Sequence, residues 1–303
     1  MAPSVEKPAG LCLSERLAAI LACPDCRCGL DVDVPEAVLV CPSCGRHYRT
    51  TPDGTPVLFA RDSEFREREA AFCDVATGSK EVAPSKRLLS VRLLPRTTPY
   101  RLTKHAYEQA MQALPEGMIL NLGSGMRRPD REPERWINLD IRPSANCDIV
   151  SDAHWLPFQD NVLSSVVSAN VFEYLRDPFQ TAAEVKRVLQ PGGTVYINVA
   201  FILPLSTPDY HDRFRFTRRG LLSLFGDLDI LDIGPSSGPV MALSMVLDRL
   251  LDTAMPGRLP AYAMRWGTAW ALQPLKYLDP WILRRDRQEL AAAGFYLVAR
   301  KPA

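Results

Sequence analysis

The sequence predicts an α/β fold, in which a mostly parallel β-sheet is covered by helices on both faces and follows a small cysteine-rich unit. From about residue 101 onward, short apolar runs alternate with segments of helical periodicity. One of these runs, "MILNL", leads directly into the glycine turn "GSG". The N-terminal unit stands apart because six of the eight cysteines lie within the first 44 residues.

Length and composition narrow the class of protein. The 303 residues leave room for one large domain and one small domain, and 47% hydrophobic with 23% charged residues is typical of a globular chain. A net charge of +1 gives no charge signature for extended nucleic-acid binding. The N-terminus lacks a cleavable signal pattern, and no apolar run approaches the roughly 18 residues of a membrane span. We therefore expect a cytoplasmic protein.

The first sixty residues form the cysteine-rich unit, with helical spacing over 11–21 and two Cys-x-x-Cys turns around a short strand at 37–40. In a chain without a secretion signal, this spacing favours a metal site over disulfides. Two such turns supply four thiolates to one tetrahedral zinc at about 2.3 Å, which leaves no open position for a substrate. We predict a structural zinc, which would also supply folding energy to so small a unit. The predicted ligands are Cys23, Cys26, Cys41 and Cys44.

The sequence alone leaves alternatives to this ligand set and to zinc open. Cys28 offers a replacement for Cys26 in the first turn, and a redox-active dithiol or a metal-free ribbon is an alternative to zinc. His47 is expected to be a packed or exposed residue rather than a ligand.

The order of residues after "ILACPDC" resembles the small zinc-ribbon proteins that partner and activate methyltransferases. In that family the second cysteine pair precedes an aromatic residue, an Asp-Gly turn and an apolar strand. Here these are Tyr48, the turn at 53–56 and the strand at 57–59. The match covers most of residues 17–60.

Residues 61–100 have the composition of a linker. Between Lys80 and Lys104 there are seven basic residues against one acidic residue. A solvated linker packed along the main domain is favoured, and contact with an anionic partner is the alternative.

The elements of the large domain follow in order. Ligands of such sheets bind at the carboxyl ends of the strands, near the point where strand order reverses. Strands are predicted at 118–122, 136–140, 147–150, 163–169, 193–200, 227–233 and 294–301, and helices at 101–113, 172–189, 217–225 and within 240–290.

The glycine turn predicts a nucleoside-like ligand without a phosphate at this point. A dinucleotide fingerprint needs a third glycine where Arg128 stands, and no phosphate-loop lysine follows. Asp140 ends the next predicted strand, seventeen residues beyond Gly123, where a carboxylate accepts hydrogen bonds from both hydroxyls of a ribose.

Together with "DIVSDAHWLPF", this pattern resembles the class I S-adenosylmethionine-dependent methyltransferases, especially the type 11 group with D-A-x-x-L-P-F. The resemblance runs from about 105 to 225 and resumes at 294–301. It implies a Rossmann-like fold, S-adenosylmethionine as cofactor, and three parts of the chain: a zinc-ribbon domain at 1–60, a linker at 61–100 and a methyltransferase domain at 101–303.

The resemblance assigns cofactor roles residue by residue. The glycines would lie against the methionine part, Asp140 would hold the ribose, Asp152 and Ala153 would read the adenine edge, and Asn170 and Val171 would lie near the sulfonium. Asn121 stands where the family often has an acid, and Tyr174 replaces the histidine of a frequent Glu-His pair. The full predicted cofactor set is Asn121, Gly123, Ser124, Gly125, Asp140, Ile141, Asp152, Ala153, Asn170 and Val171.

The candidate base is His211, in the loop "STPDYHDRFRFT" between Tyr210 and Asp212. A His–Asp pair tunes such a base, although a purely structural loop is the alternative. Arg213 and Arg215 are able to bind an anionic group of the substrate or to pair with local acids. Similar loops in methyltransferases of glycan and envelope gene neighbourhoods imply a sugar acceptor.

No Asn-Pro-Pro-aromatic signature follows the fourth strand of the large domain, where the sequence reads "ANVFEY", so an oxygen acceptor is favoured over a base amine. The predicted function is O-methylation of a hydroxyl of a glycan, glycolipid or specialised metabolite. The alternatives are methylation of rRNA or tRNA, and a cofactor-binding scaffold that activates a partner without catalysis.

Residues 236–292 form a predicted helical insertion. Trp266, Trp270, Tyr277 and Trp281 recur there among basic residues. Packing onto the sheet is favoured; a substrate cap or peripheral docking at the inner face of the membrane is the alternative.

Overall fold

The computed structural model describes residues 13–33, 37–73, 107–125, 132–205, 212–254, 258–285 and 292–303. The predicted linker beyond residue 73, the first half of the predicted helix at 101–113, and Tyr210 and His211 lie outside these residues. The described strands form a three-stranded sheet and an eight-stranded sheet.

The N-terminal unit is a ribbon of short elements. Helix α1 (Glu15–Ala18) is capped by Ser14, whose Oγ accepts a hydrogen bond from the Leu17 amide at 3.2 Å. Strands β1 (Asp31–Asp33), β2 (Val38–Val40) and β3 (His47–Tyr48) then pair antiparallel in that order.

The large sheet confirms the predicted α/β fold with a mostly parallel sheet. Its order is β10-β11-β9-β8-β5-β6-β7-β4, with parallel pairing from β9 through β4 and antiparallel pairing of β11 with β9 and β10. Successive strands run one way from β5 and the other way from β8, so the strand order reverses between these two strands. The strands are β4 (Val57–Leu58), β5 (Ile119–Leu122), β6 (Trp136–Asp140), β7 (Ile149–Ser151), β8 (Leu163–Ala169), β9 (Leu189–Ala200), β10 (Asp229–Ser237) and β11 (Gly294–Arg300).

A capping residue determines where helix α4 begins. Helix α4 starts at Pro178, later than the predicted 172, because the Asp177 carboxylate accepts the amides of Phe179 and Gln180 and proline suits the first helical position. The described helices after α1 are α2 (Glu69–Cys73), α3 (107–112), α4 (Pro178–Val188), α5 (Arg218–Phe225), α6 (Pro239–Ala254), α7 (Arg258–Leu272) and α8 (Asp279–Arg285).

Strand β4 belongs to the large sheet although it ends the predicted ribbon domain. Val57 and Leu58 pair in parallel with Val150 and Ser151 of β7, and the Ser151 hydroxyl donates to the Leu58 carbonyl at 2.7 Å. The first cysteine turn is also tied to the large domain, since the Ala22 amide donates to the Pro157 carbonyl at 3.0 Å. The predicted boundary at residue 60 remains a prediction, and the sheet continues on both sides of it.

The main hydrophobic cluster contains residues from both parts of the chain. The main cluster joins Leu21 and Leu39 of the ribbon to Phe158, Phe172 and Leu297 of the large domain. The side chains of Val57 and Phe59 form a second cluster with Cys147 and Val150. Ribbon and sheet are therefore expected to unfold together.

Shortening the β4 side chain tests this coupling. Leu58 is fully buried, so we expect Leu58→Ala to lower the free energy of unfolding by about 2–5 kcal/mol. The matched control is Val32→Ala on β1, where 37% exposure predicts a change within about 0.5 kcal/mol. Urea unfolding followed by circular dichroism measures both. Equal unfolding curves for the two variants would show that β4 does not stabilise the sheet.

Candidate functional site

The structure brings the four predicted zinc ligands together. The sulfur atoms of Cys23, Cys26, Cys41 and Cys44 all lie within 4.8 Å of one another. The Cys26–Cys41 and Cys23–Cys44 sulfur distances are 3.4 and 3.7 Å. These distances approach the edge of about 3.8 Å of a tetrahedron with zinc–sulfur bonds of about 2.3 Å. The donor set therefore fits a structural zinc.

The two cysteine turns share one backbone conformation, which explains the position of Cys28. The Arg27 amide donates to the Cys23 carbonyl at 2.8 Å, as the Gly45 amide donates to Cys41 at 2.9 Å. Both Arg27 and Gly45 have left-handed backbones, with φ of 62° and 69°. The carbonyls of Cys28 and Arg46 then close the turns in the same way. Cys28 thus corresponds to Arg46, which is not a ligand position.

Neighbouring backbone and side-chain groups alter the pKa and the hydrogen bonding of the clustered cysteine sulfurs. A hydrogen bond from the Cys28 backbone lowers the pKa of the Cys26 thiol to about 7. The Tyr48 hydroxyl lies 3.0 Å from the Cys23 sulfur, and burial raises the pKa of Tyr48, so this hydroxyl stays protonated and is able to donate a hydrogen bond to Cys23 when zinc binds it as a thiolate. The sequence marks Tyr48 only as the aromatic residue after the second cysteine pair. Its contact with Cys23 depends on the ribbon fold.

The glycine turn after β5 requires its glycines. Gly123 and Gly125 have left-handed backbones, with φ of 71° and 59°. The amides of Gly123 and Ser124 both donate to the Leu139 carbonyl of β6, at 2.8 and 3.1 Å. A Cβ atom on Gly123 would lie 2.2 Å from Cγ2 of Val171. The turn therefore brings residues after β5 and β8 together at the point where strand order reverses.

Asp140 closes the same turn from the end of β6. Its carboxylate accepts hydrogen bonds from the amides of Gly125 at 2.8 Å and Arg142 at 3.0 Å. The carboxylate remains partly exposed, and Ile141 beside it packs against the cluster around Val57 and Val150. Asp140 is thus placed as a hydrogen-bond acceptor at the edge where ligands of such sheets bind.

Asp152 is held differently, because its carboxylate is almost fully buried. One oxygen accepts from the Ser63 hydroxyl at 2.6 Å, and the other lies 2.6 Å from Nδ1 of His154. Since the Asp177 amide donates to Nε2 of His154, the ring proton sits on Nδ1 and is donated to Asp152. Burial opposes ionisation, but the bonds from His154 and Ser63 outweigh it and lower the pKa of Asp152. Contact of Asp152 and the buried Ala153 with an adenine edge remains a prediction.

The other predicted cofactor residues lie near the same edge. The side-chain amide of the partly buried Asn121 donates to the fully buried Asn138 on β6 at 2.8 Å, a contact that the sequence does not predict. Asn170 follows β8 with φ of 56° and an exposed side chain. The Ser124 hydroxyl is buried and has no hydrogen-bond partner within the described residues. Glycines without side chains, this unused hydroxyl and the carboxylate of Asp140 fit S-adenosylmethionine.

The loop after β9 carries the candidate catalytic residues. Tyr210 and His211 lie outside the described residues, whereas the Asp212 carboxylate accepts a hydrogen bond from Arg215 at 2.5 Å. Arg213 pairs with Glu64 at 3.2 Å. Both arginines therefore pair with acids, as the alternative reading of the sequence states.

Glu173 is a site residue that the predicted set omits. Its buried carboxylate accepts a hydrogen bond from the Ala200 amide at the end of β9. Its backbone carbonyl accepts the amides of Arg213 and Phe214, at 2.7 and 3.0 Å. Burial raises the pKa of Glu173 to about 7. This residue fixes the loop that holds Asp212, and only its position after β8 was visible in the sequence.

The cysteine geometry predicts the outcome of single substitutions. We expect one zinc per chain by elemental analysis, loss of the metal in Cys41→Ser, and retention in Cys28→Ser, because Cys28 does not lie in the four-sulfur cluster. Thermal unfolding should follow metal content, with the midpoint lowered only in Cys41→Ser. Metal loss in Cys28→Ser with retention in Cys26→Ser would instead make Cys28 the ligand.

The raised pKa of Glu173 predicts a pH-dependent stability. The folded protein binds this proton more tightly than the unfolded chain, so stability falls as pH rises from the ordinary value of 4.5 to about 7. Glu173→Gln keeps an acceptor for Ala200 and removes the titration. The variant should therefore gain stability over wild type across this range, by up to about 3 kcal/mol. Urea unfolding at several pH values measures the difference, and parallel pH profiles would contradict it.

Comparison with known families is consistent with this geometry. A family described as a methyltransferase domain matches residues 131–197. A family described as Trm112p-like protein matches residues 14–49, which contain all four clustered cysteines.

Individual relatives are distant. A curated relative, an uncharacterized 37.1 kDa protein in transposon TN4556 of Streptomyces fradiae, is 30% identical over 79 residues; the match covers 26% of this chain and only 22% of that protein. A complex containing the Haloferax volcanii Trm112 methyltransferase activator matches at 19% identity and TM-score 0.40, over 76% of this chain and 100% of that chain. Geranyl diphosphate C-methyltransferase from Streptomyces coelicolor matches at 14% identity and TM-score 0.41, over 75% and 87% of the two chains. The chain thus carries a class I S-adenosylmethionine-dependent methyltransferase domain behind an N-terminal Trm112p-like zinc-ribbon region.

Proposed function

We propose that the protein transfers a methyl group from S-adenosylmethionine to a hydroxyl oxygen of a glycan, glycolipid or specialised metabolite. The observation that carries the methyl transfer is the methyltransferase-family match over 131–197. That region contains Asp140, which closes the glycine turn through the Gly125 amide. The "ANVFEY" sequence after β8 supports an oxygen acceptor, because it lacks the signature of enzymes that methylate base amines.

In this proposal the residues of the chain bind the cofactor and orient the acceptor toward its methyl group. Bound S-adenosylmethionine supplies a methyl group that is already electrophilic, so catalysis depends mainly on alignment with the acceptor. The glycine turn and Asp140 are the proposed cofactor contacts. Glu173 is proposed to position the loop after β9, since its backbone carbonyl accepts hydrogen bonds from the amides of Arg213 and Phe214. His211 remains the proposed base for the hydroxyl proton.

The ribbon is proposed to support the methyltransferase domain of its own chain. Its last strand is paired with β7, and the segment after it places Ser63 on Asp152 and Glu64 on Arg213. A ribbon that activated a different protein through this strand would have to leave β7. These contacts therefore favour an enzyme over the non-catalytic scaffold.

The acceptor can be identified directly. Native extracts are incubated with the protein and deuteromethyl S-adenosylmethionine, and labelled products are found by mass spectrometry. Label in a hydroxyl of a glycan, glycolipid or metabolite supports the proposal. Label in RNA that is weakened by salt supports the rRNA or tRNA alternative. The basic run at 80–104 on which that alternative rests lies outside the described residues.

The proposed cofactor contacts predict how substitutions change the affinity for S-adenosylmethionine. Because Asp140 is the proposed acceptor of hydrogen bonds from the ribose hydroxyls, we expect Asp140→Asn to weaken S-adenosylmethionine binding by at least about 10-fold. Ser63→Ala removes a hydrogen bond that holds Asp152, so a smaller loss of about 5-fold is expected. Isothermal titration calorimetry measures both, with Ser223→Ala, a serine exposed on α5, as the control. Wild-type affinity in Asp140→Asn would exclude the proposed ribose contact.

A further inference from the structure

Helices α6, α7 and α8 form one structural layer, residues 239–254 and 258–285, here called the insertion layer. Helices α6 and α7 pack against each other, and both contact the 3-10 turn Leu275–Leu278. The buried Asp279 at the start of α8 accepts a hydrogen bond from the Val240 amide at 2.9 Å, so one end of the layer caps the other. The layer therefore has a defined structure of its own beyond β10.

Exposed hydrophobic side chains concentrate on this layer. Of the seventeen large hydrophobic residues exposed among the described residues, ten lie here. Three of the protein's five tryptophans are among them, with exposures of 41%, 48% and 53%. Packing onto the sheet, the favoured expectation from sequence, therefore does not account for these side chains. The ten residues are Leu243, Val246, Leu250, Met264, Trp266, Trp270, Leu275, Tyr277, Leu278 and Trp281.

Helix α7 presents an uncharged face. Exposure is described for residues 263, 264 and 266–272 of this helix, and at 100° per residue the exposed ones among them fall within an arc of about 160°. These described exposed residues have small, aromatic or thioether side chains: Ala263, Met264, Trp266, Gly267, Trp270 and Ala271. A helix with so wide an exposed apolar arc gains stability from an apolar environment on that side.

Helix α6 separates its apolar and acidic residues. Leu243, Val246 and Leu250 recur at intervals of three and four, which places them on one side of the helix. Asp248 and Asp252 lie on the opposite side by the same periodicity. The apolar side therefore carries no acid that would repel an anionic surface.

The charge of the layer indicates the occupant. Residues 239–285 contain six basic and three acidic residues, a net charge of +3, and one residue of each sign, Lys276 and Asp279, is buried. The Arg285 guanidinium lies 4.0 Å from the centre of the Trp281 ring, and Lys276 lies 5.3 Å from that of Tyr277. A second copy docked on this layer would bring like charges together. Tryptophan and tyrosine beside cations match an anionic lipid surface.

We propose that the insertion layer docks the protein onto membranes that contain anionic phospholipids. Trp266, Trp270 and Trp281 enter the boundary between headgroups and acyl chains, while Arg284 and Arg285 bind the phosphates. The protein lies on the surface rather than across it, because no helix of the described residues is long and apolar enough to span a bilayer. This proposal is independent of the methyl acceptor.

The test uses the full chain with vesicles of phosphatidylcholine, either pure or mixed equally with phosphatidylglycerol. We expect cosedimentation with the anionic vesicles, at least about 10-fold weaker with pure phosphatidylcholine and weakened by salt. Tryptophan emission should shift to shorter wavelength with the anionic vesicles. Protein that remains in the supernatant with both vesicles, without an emission shift, overturns the proposal.

Substitutions test whether the insertion layer is the surface that contacts the vesicles. The double variant Trp270→Ser with Trp281→Ser, and the double variant Arg284→Glu with Arg285→Glu, should each lose at least about 10-fold in vesicle binding. Phe179→Ser is the matched control, because Phe179 is 61% exposed on α4 and should bind like wild type. Circular dichroism and zinc content verify folding of each variant. Wild-type binding by both double variants overturns the proposal, as does light scattering that shows a dimer which the tryptophan changes dissociate.

Discussion

The parallel pairing of β4 with β7 is the constraint on which the rest of the molecule depends. Val57 and Leu58 lie at the edge of the large sheet, fully buried, and the chain that enters them comes from the ribbon. The pairing covers the edge of β7, which would otherwise expose unpaired backbone groups. It also fixes where the following residues lie, because Ser63 and Glu64 then reach Asp152 and Arg213. The two residue pairs between β4 and β7 therefore connect the metal site, the large sheet and the candidate active site.

The same connection explains why burial and charge are arranged unevenly around the site. Asp140 remains partly exposed at the end of β6, whereas Asp152 is enclosed by Ser63 and His154. The enclosed acid holds the chain after β4, and the accessible acid is available to a ligand. Two carboxylates with similar positions in the sequence pattern thus have different physical roles. Glu173 adds a third role, since its hydrogen bonds join the end of β9 to the loop that contains Asp212.

Local patterns in the sequence predict the fold well where the determining interactions are local. The glycine turn, the ends of β6 and β8 and the two cysteine turns follow from spacing, and the structure places them as expected. The partner of β4 does not follow, because "TPVLF" predicts a strand without saying which sheet it joins. The Ser63–Asp152 bond joins residues 89 positions apart, and the burial of Glu173 depends on β9. The exposure of Trp270 and Trp281 likewise depends on how α7 and α8 pack.

The distance between β4 and β7 along the chain has a consequence for synthesis. All four clustered cysteines lie between residues 23 and 44, so the ribbon can bind metal long before β7 is made. Ser151 pairs with a residue 93 positions earlier. At about 5–20 residues per second, the ribbon precedes its partner strand by roughly 5–20 seconds. By the time β7 emerges, the ribbon has had time to bind its metal and β4 is available to pair, so β7 need not present an open edge to other chains.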